Sequence, residues 1–194
     1  MYTPAHFRED RPEVLHALIR EFPLGTLVTT TADGLSANHI PFLLEDGVLR
    51  GHVARANPVA EGPALVIFHG PQHYISPSNY ATKKSDPRVV PTWNYVAVHA
   101  HGSIRTFTDT ARLLKIVADL TAHFEGQRTE PWSIHDAPPE YIDKLLNAIT
   151  GIEIPIERLE GKSKVSQNRP AADRLSVIEA LADHPMSAAV KAAL

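Results

Sequence analysis

Positive charge and hydrogen-bonding side chains are concentrated in the stretch EGKSKVSQNRP, residues 160–170. It holds Lys162, Lys164 and Arg169, and no carboxylate follows Glu160 until Asp173. Lysine binds phosphate as a point charge, arginine binds it as a planar fork, and neutral polar side chains add donors. The stretch therefore predicts a site for a phosphorylated ligand, although a solvated polar loop between a strand and a helix is the alternative interpretation. The predicted ligand-binding residues of this stretch are Lys162, Lys164, Gln167 and Asn168.

A second candidate for phosphate binding lies in GHVARANP, residues 51–58. Here Arg55 and Asn57 close a predicted strand and open a turn. An arginine at the rim of a barrel is well placed to contact a phosphate, so both residues join the predicted site. Because arginine is mostly exposed in proteins, an ordinary surface arginine is the alternative.

The segment PQHYISPSNYA, residues 71–81, carries aromatic and hydroxyl groups between two prolines. Proline fixes the backbone, so the neighbouring hydroxyl groups would point in defined directions. We therefore predict that Ser76 and Tyr80 contact the ligand.

The longest strand signal is TWNYVAVHAHGSIRTF, residues 92–107. Strand alternation places Trp93, Tyr95, His99 and His101 on one face and Asn94 on the other. A face of this composition is suited to stacking on a planar ring, so Trp93 joins the predicted site. Asn94, on the opposite face, is also predicted to contact the ligand. Core packing is the alternative, and it is favoured for Tyr95 and for at least one of the two histidines.

The sequence does not carry the motifs of several other kinds of site. His99 and His101 have the spacing of two metal ligands on one strand face, but this spacing is unspecific and no HExxH signature is present. We therefore predict no metal site. The chain has no GxSxG motif for a nucleophilic serine and no GxGxxG or Walker loop for a nucleotide.

Short extended segments separated by turn signals make up most of the chain, with helices at both ends and between the later strands. The segment EDRPEVLHALIREF predicts a first helix with Asp10 as its cap. In LSANHIPFLLE, Pro41 predicts a sheet edge or a bulge. ALVIFHG predicts a buried strand, followed by a separate extended segment. The pattern indicates an α+β fold, mainly β, with a small barrel over residues 1–170 and a helical extension over 171–194 packed on it.

Composition limits the classes of function. The chain of 194 residues is 43% hydrophobic and 21% charged, which is ordinary for a globular protein with a sizeable core. Its net charge of −3 makes direct DNA binding doubtful without a local basic patch. It has no cysteine, no apolar signal core near residue 1 and no apolar run long enough for a membrane span. We therefore expect a cytoplasmic protein.

Six segments together resemble the PaiB family of FMN-binding negative transcriptional regulators. They run from residue 1 to residue 170 in the family's order, and they are MYTPAHFRED, NHIPF, GHVARANP, FHGPQHYISPSNY, VPTWNYVAVHAHG and LEGKSKVSQNRP. The resemblance implies an antiparallel split β-barrel of the FMN-binding, pyridoxamine-oxidase-like type. It also implies FMN as cofactor and a homodimer with FMN at the subunit interface. The family commonly has an aromatic residue where this chain has Asn79.

Two functions remain open at this point. The first is an FMN-binding protein with a redox or sensor role and indirect effects on transcription. The alternative is a flavin-dependent oxidoreductase for an unknown small molecule, or a protein for haem or another planar ligand with His99 or His101 as axial ligand. No residue is a clear general acid or base, since in flavin chemistry the cofactor carries the difficult step. Whether the protein is an enzyme stays undecided by the sequence.

Overall fold

The computed structural model describes all 194 residues, in eight strands and five α-helices. The strands are β1 Arg8–Glu9, β2 Leu24–Thr31, β3 Gly34–Pro41, β4 Leu43–Glu45, β5 Val48–Ala54, β6 Gly62–Ile75, β7 Thr92–Phe107 and β8 Ile149–Lys164. The helices are α1 Pro12–Glu21, α2 Thr110–Glu125, α3 Pro139–Leu146, α4 Ala171–Ala180 and α5 Pro185–Ala192. No helix is long and apolar enough to cross a membrane.

The strands form a sheet in the order β3-β2-β6-β7-β8-β5-β4, and β1 pairs with β8. The pairs β2–β3, β2–β6, β4–β5, β5–β8 and β1–β8 are all antiparallel. Between β4 and β5 the chain reverses through Asp46 and Gly47, which both have positive φ. A two-residue turn of this kind matches the twist of the flanking strands, so it sets the register that pairs Glu45 with Val48.

The chain forms two compact units. The first unit comprises Met1–Phe22, Phe68–His99 and Leu159–Leu194, and the second comprises Pro23–Ile67 and Ala100–Arg158. The strands β6, β7 and β8 each contribute residues to both units. The division at residue 170 that the sequence indicates stays a prediction.

The C-terminal helices are built into the core of the first unit. Val177 and Leu181 from the α4 region and Met186 and Val190 from α5 are buried in one cluster. The same cluster contains Ile75, Tyr80 and Val165. Removing these two helices would therefore expose the apolar side of residues 75–80, where a predicted ligand segment lies.

The second unit is stabilised by an amphipathic helix and by close backbone contacts. The helix α2 buries Leu113, Ile116 and Leu120, and Asp109 caps it by accepting a hydrogen bond from the backbone N–H of Arg112 at 2.8 Å. A Cβ atom at Gly102 would collide with the carbonyl oxygen of Pro155. Only glycine fits this position of β7.

Three details of the secondary structure differ from the sequence prediction. The helix α1 begins after Arg11 as N-cap and has no side-chain cap, so the prediction of Asp10 as its cap was wrong. The strand β6 continues through Pro71 to Ile75, whereas the sequence predicted two separate segments. The strand predicted over LSANHIPFLLE is divided at Phe42 into β3 and β4, and β3 is an edge strand, as Pro41 indicated.

Candidate functional site

The final residues of β8 place two lysines close together in the first unit. Lys162 is only 9% exposed, and its ammonium group donates to the carbonyl oxygen of Tyr2 at 2.9 Å. The same Nζ atom lies 5.3 Å from the ring centroid of Tyr95 and 5.7 Å from that of Tyr2. Aromatic faces attract a cation, so these two rings fix the position of the charge without neutralising it.

Lys164 lies one alternation further along the same strand and is half-buried. Its ammonium group donates to the carbonyl oxygen of Trp93 at 2.6 Å and to the hydroxyl group of Thr92. Burial lowers the pKa of Lys164, and the neighbouring charge of Lys162 lowers it further. Neither lysine has a carboxylate partner. Two adjacent cations are thus held in place by carbonyl, hydroxyl and aromatic groups alone.

The turn after β8 is held by its own polar side chains. Ser166 has a φ of 68°, a left-handed conformation that is unfavourable for a residue with a Cβ atom. The buried side chain of Asn94 donates to Ser166 Oγ at 2.9 Å, which fixes this turn. Gln167 accepts from the backbone N–H of Val165 at 2.8 Å and donates to the carbonyl oxygen of Ser163 at 2.5 Å. Asn94 and Gln167 therefore shape the turn, while Asn168 is exposed beside it.

The segment that follows β6 is held in a similar way. Ser76 Oγ accepts from the backbone N–H of Ser78 at 3.2 Å, and Asn79 Oδ1 accepts from the backbone N–H of Ser76 at 2.9 Å. This reciprocal capping explains Asn79, because an aromatic side chain could not accept that hydrogen bond. Ser76 Oγ and Asn79 Oδ1 thus already accept hydrogen bonds within the segment.

Tyr80 is a buried residue of the same region. Its hydroxyl group has no hydrogen-bond partner, and the guanidinium group of Arg169 lies 4.4 Å from its ring centroid. Burial raises the pKa of Tyr80, and the nearby Arg169 charge only partly offsets this effect. Tyr80 belongs to the core cluster and not to an open surface.

Trp93 lies beside the lysine pair with 55% of its surface exposed. Its ring packs edge-to-face with Tyr74, which is 46% exposed, at a centroid distance of 6.1 Å. A shallow cavity of about 240 Å³ opens next to it and is lined by His69, Gly70, Gln72, Trp93, Tyr95 and Val96. This is the aromatic surface in the first unit that the alternation of β7 predicted.

Arg55 and Asn57 belong to the second unit, unlike the other eight predicted site residues. Arg55 donates to the carbonyl oxygen of Ile149 at 3.4 Å, and Asn57 donates to Asn38 Oδ1 at 2.8 Å. Both are exposed. Glu61, in the same loop, accepts from the backbone N–H and the hydroxyl group of Thr106, each at 2.7 Å.

The structure also identifies residues that sequence reasoning missed. Tyr2 and Thr92 complete the surroundings of the lysine pair, and Tyr95 is half-buried beneath Lys162. The alternation of β7 already placed Tyr95 on the face of Trp93. No sequence signal connects Tyr2 with Lys162, because 160 positions separate them. His99 and His101 are both half-buried residues of β7 that interact with other groups.

Comparison with known proteins identifies the family of the chain. Residues 1–158 match the family model described as "Putative FMN-binding domain". A Bacillus subtilis protein named protease synthase and sporulation protein PAI 2 is 33% identical, over 93% of this chain and 89% of that protein. An uncharacterised protein of Aspergillus fumigatus is 36% identical, over 92% of this chain and 90% of that protein.

Solved structures confirm the fold class. The FAD and heme binding protein from Mycobacterium smegmatis superposes with a TM-score of 0.61 at 17% identity, over 81% of this chain and 73% of that chain. At this identity the likeness concerns the fold. The prediction of a mainly β, antiparallel fold with flanking helices is confirmed.

Proposed function

The chain belongs to the PaiB family of FMN-binding domains, and from that premise we propose that it binds FMN and has a redox or sensor function. We further propose a homodimer that works in the cytoplasm and affects transcription indirectly. When bound, FMN supplies the electron-transfer chemistry. The residues of this chain hold the ligand and set its surroundings.

The observation that carries the proposal is the pair of lysines without a carboxylate. A buried cation without a counter-ion costs on the order of several kcal/mol, and a protein normally avoids this arrangement. A phosphate group placed against Lys162 and Lys164 would supply the missing negative charge. Charge-assisted hydrogen bonds from both ammonium groups would hold it.

The other predicted site residues of the first unit fall into those that can contact a ligand directly and those that hold the backbone in place. Asn168 is exposed beside the lysine pair and has a side chain available to a ligand. Asn94, Ser76, Tyr80 and Gln167 hold the backbone that presents the lysines, so their effect on FMN would be indirect. In the second unit, Arg55 and Asn57 stay candidates for ligand contact on the strength of the sequence.

The test compares FMN with riboflavin, which lacks the phosphate. Titrations that follow flavin fluorescence are run on the wild type and on Lys162→Ala and Lys164→Ala. Hydrogen bonds to a charged group contribute about 1.5–3 kcal/mol, so the FMN Kd should rise roughly ten- to hundredfold in each variant. The riboflavin Kd should stay within about twofold, since the removed groups contact only phosphate.

The matched control is Lys83→Ala, which removes an exposed lysine that donates to Ser78 Oγ at 3.2 Å. This variant should bind both flavins as the wild type does. Circular dichroism checks that the variants are folded. Equal losses of FMN and riboflavin in the Lys162 and Lys164 variants would disprove the phosphate assignment.

The indirect effect on transcription rests on the C-terminal helices. Residues 171–194 contain only Arg174 and Lys191 as basic residues besides His184. Arg174 is already engaged, since it donates to the carbonyl oxygen of Ala193. A helix that reads DNA needs several phosphate contacts, which these residues do not offer. A salt-dependent gel shift of the protein's own promoter by the pure protein would contradict this proposal.

A further inference from the structure

The shallow cavity beside Trp93 has features of a binding site that FMN phosphate recognition does not use. Its walls are Trp93 and Tyr95, and Gly70 and Val96 contribute apolar or backbone surface. A Cβ atom at Gly70 would lie 3.0 Å from Leu18 and 3.2 Å from Val96, so these neighbours would have to shift by a few tenths of an ångström to admit a side chain. Backbone rather than a mobile side chain is therefore present at this point of the cavity.

The aromatic residues are held in place although they are exposed. The carbonyl group of Trp93 accepts from Lys164, and the Trp93 ring meets Tyr74 edge-to-face. Large exposed aromatic groups in a fixed arrangement are typical of recognition surfaces, since stacking on them costs little conformational entropy. One ring face of Trp93 is thus available to a planar molecule.

The rim of the cavity carries polar side chains whose hydrogen-bonding groups are not used within the protein. Gln72 and His69 are exposed, and no other group of the protein hydrogen-bonds to either side chain. The glutamine amide offers both donors and an acceptor, and neutral imidazole offers one of each. They match the edge of a heteroaromatic ring that carries a carbonyl group and an N–H.

The size and charge of the surroundings narrow the ligand further. A volume of about 240 Å³ is below the roughly 300–1,000 Å³ of typical cofactor pockets. One or two fused rings fit this size better than a whole flavin nucleotide. The ammonium groups of Lys162 and Lys164 disfavour a cationic ring, and on the proposed function their positive charge is used by phosphate.

We propose that the cavity of His69, Gly70, Gln72, Trp93, Tyr95 and Val96 binds a neutral, planar heteroaromatic molecule of one or two rings that carries a carbonyl group. This ligand stacks on Trp93 and hydrogen-bonds to Gln72. It is a second molecule beside FMN, and in that respect the inference rests on the proposed function. Its place next to the lysine pair makes it a candidate substrate or sensed ligand of the same protein.

The experiment is calorimetric titration with quinolin-2-one, a planar two-ring lactam, and with its saturated decahydro counterpart as the non-planar control. Both probes are added to the free protein and to the protein in saturating FMN. The variants are Trp93→Leu and Gln72→Ala. The control is Trp132→Leu, which removes the other of the two tryptophans, 46% exposed and in the second unit.

We expect quinolin-2-one to bind the wild type and Trp132→Leu alike, with or without FMN. Its Kd should rise about fivefold or more in Trp93→Leu and in Gln72→Ala, because stacking and the amide hydrogen bond are removed. The saturated probe should bind at least about fivefold more weakly than the planar one.

Three results would overturn the inference. The first is unchanged binding in Trp93→Leu, and the second is equal binding of the planar and saturated probes. The third is mutually exclusive binding of quinolin-2-one and FMN, which would assign the cavity to the flavin ring itself. Failure of FMN to bind at all would disprove the proposed function separately, since binding of the probe to the free protein is read without FMN.

Discussion

Strand β8 carries Glu153 in the second unit and Lys162 and Lys164 in the first. These charged residues differ in whether they form ion pairs. In the second unit, Glu153 accepts from Arg50 at 3.1 Å and from Arg112 at 2.7 Å, so each cation has a carboxylate. In the first unit, Lys162 and Lys164 have none. The charges of Glu153, Arg50 and Arg112 are therefore paired within the fold. The positive charge of the lysine pair has no carboxylate within the fold, and this is the feature on which the proposed phosphate site rests.

The largest expected effect is on FMN affinity, when one lysine of the pair is replaced. Lys162→Met keeps an unbranched side chain that is one atom shorter and deletes the charge. We expect the FMN Kd to rise roughly ten- to hundredfold, because the phosphate loses a charged donor. The free protein should be no less stable than the wild type, since replacement of an unpaired buried charge by an apolar group is neutral or favourable. Titration and urea unfolding measure the two quantities.

Substitution in the Glu153 ion-pair network should instead lower stability and leave FMN affinity unchanged. Glu153→Gln leaves Arg112 without a carboxylate and leaves Arg50 with Glu45 alone, at 2.9 Å. We expect the free energy of unfolding to fall by about 1–2 kcal/mol for this partly exposed network. The FMN Kd should stay within about twofold, because Glu153 has no part in phosphate binding. Urea unfolding of Glu153→Gln is compared with that of Glu157→Gln, an exposed residue of the same strand. A fall of equal size in both variants would contradict a special role of the Glu153 network.

The carboxyl group of Glu153 should make the stability of the protein depend on pH. Burial raises the pKa of Glu153, but hydrogen bonds from Arg112 and Arg50 outweigh it and the net shift is downward. A carboxyl group with a lowered pKa stabilises the fold above its unfolded pKa and loses this contribution as the pH falls through the folded pKa. Wild-type stability should therefore fall in mild acid by more than that of Glu153→Gln. Urea midpoints between about pH 6 and pH 3 measure the difference.

At alkaline pH, deprotonation of Lys164 should raise protein stability and lower FMN affinity. The lowered pKa of Lys164 means that the folded protein releases this proton at a lower pH than the unfolded chain. Protein stability should rise slightly as the pH passes through the folded pKa, while FMN affinity should fall because the phosphate loses a cation. Lys164→Arg keeps its charge at any pH and should lose both trends. Titrations of FMN between about pH 7 and pH 10 measure the affinity.

The smallest effect concerns the buried hydroxyl group of Tyr80. It has no partner, so Tyr80→Phe removes an unsatisfied polar group and should leave stability unchanged or raise it by up to about 1 kcal/mol. FMN affinity should change by less than about twofold. A loss of stability above about 1 kcal/mol in urea unfolding would indicate that the hydroxyl group has a partner.

Much of this comparison could be predicted from the sequence. The spacing of Lys162 and Lys164, with no carboxylate between Glu160 and Asp173, indicated an anion site on one strand face. The alternation of β7 placed Trp93 on the face of Tyr95. These placements on a strand follow from its period of two, which needs no knowledge of its neighbours.

The remainder depends on which hydrogen-bond partner each side chain meets in the folded chain. Asn79 has the type of a turn residue, but only the structure shows that it closes a reciprocal cap with Ser76. Gln167 has the type of a ligand donor, yet it hydrogen-bonds to its own turn. Composition states what a side chain can bond to, and the fold decides which partner it meets. The sequence therefore indicates the strand positions of the two lysines better than the hydrogen-bond partners of the amides beside them.

The buried carboxylate of Asp173 has a consequence for the order of folding. It accepts from the backbone N–H and the hydroxyl group of Thr82, each at 2.9 Å, and joins residues 91 positions apart. A chain made from its N-terminus completes residues 81–91 long before Asp173 exists. During synthesis that segment lacks the carboxylate that accepts its two hydrogen bonds in the folded protein. Its attachment to α4 is therefore among the last steps by which a newly made molecule reaches its native state.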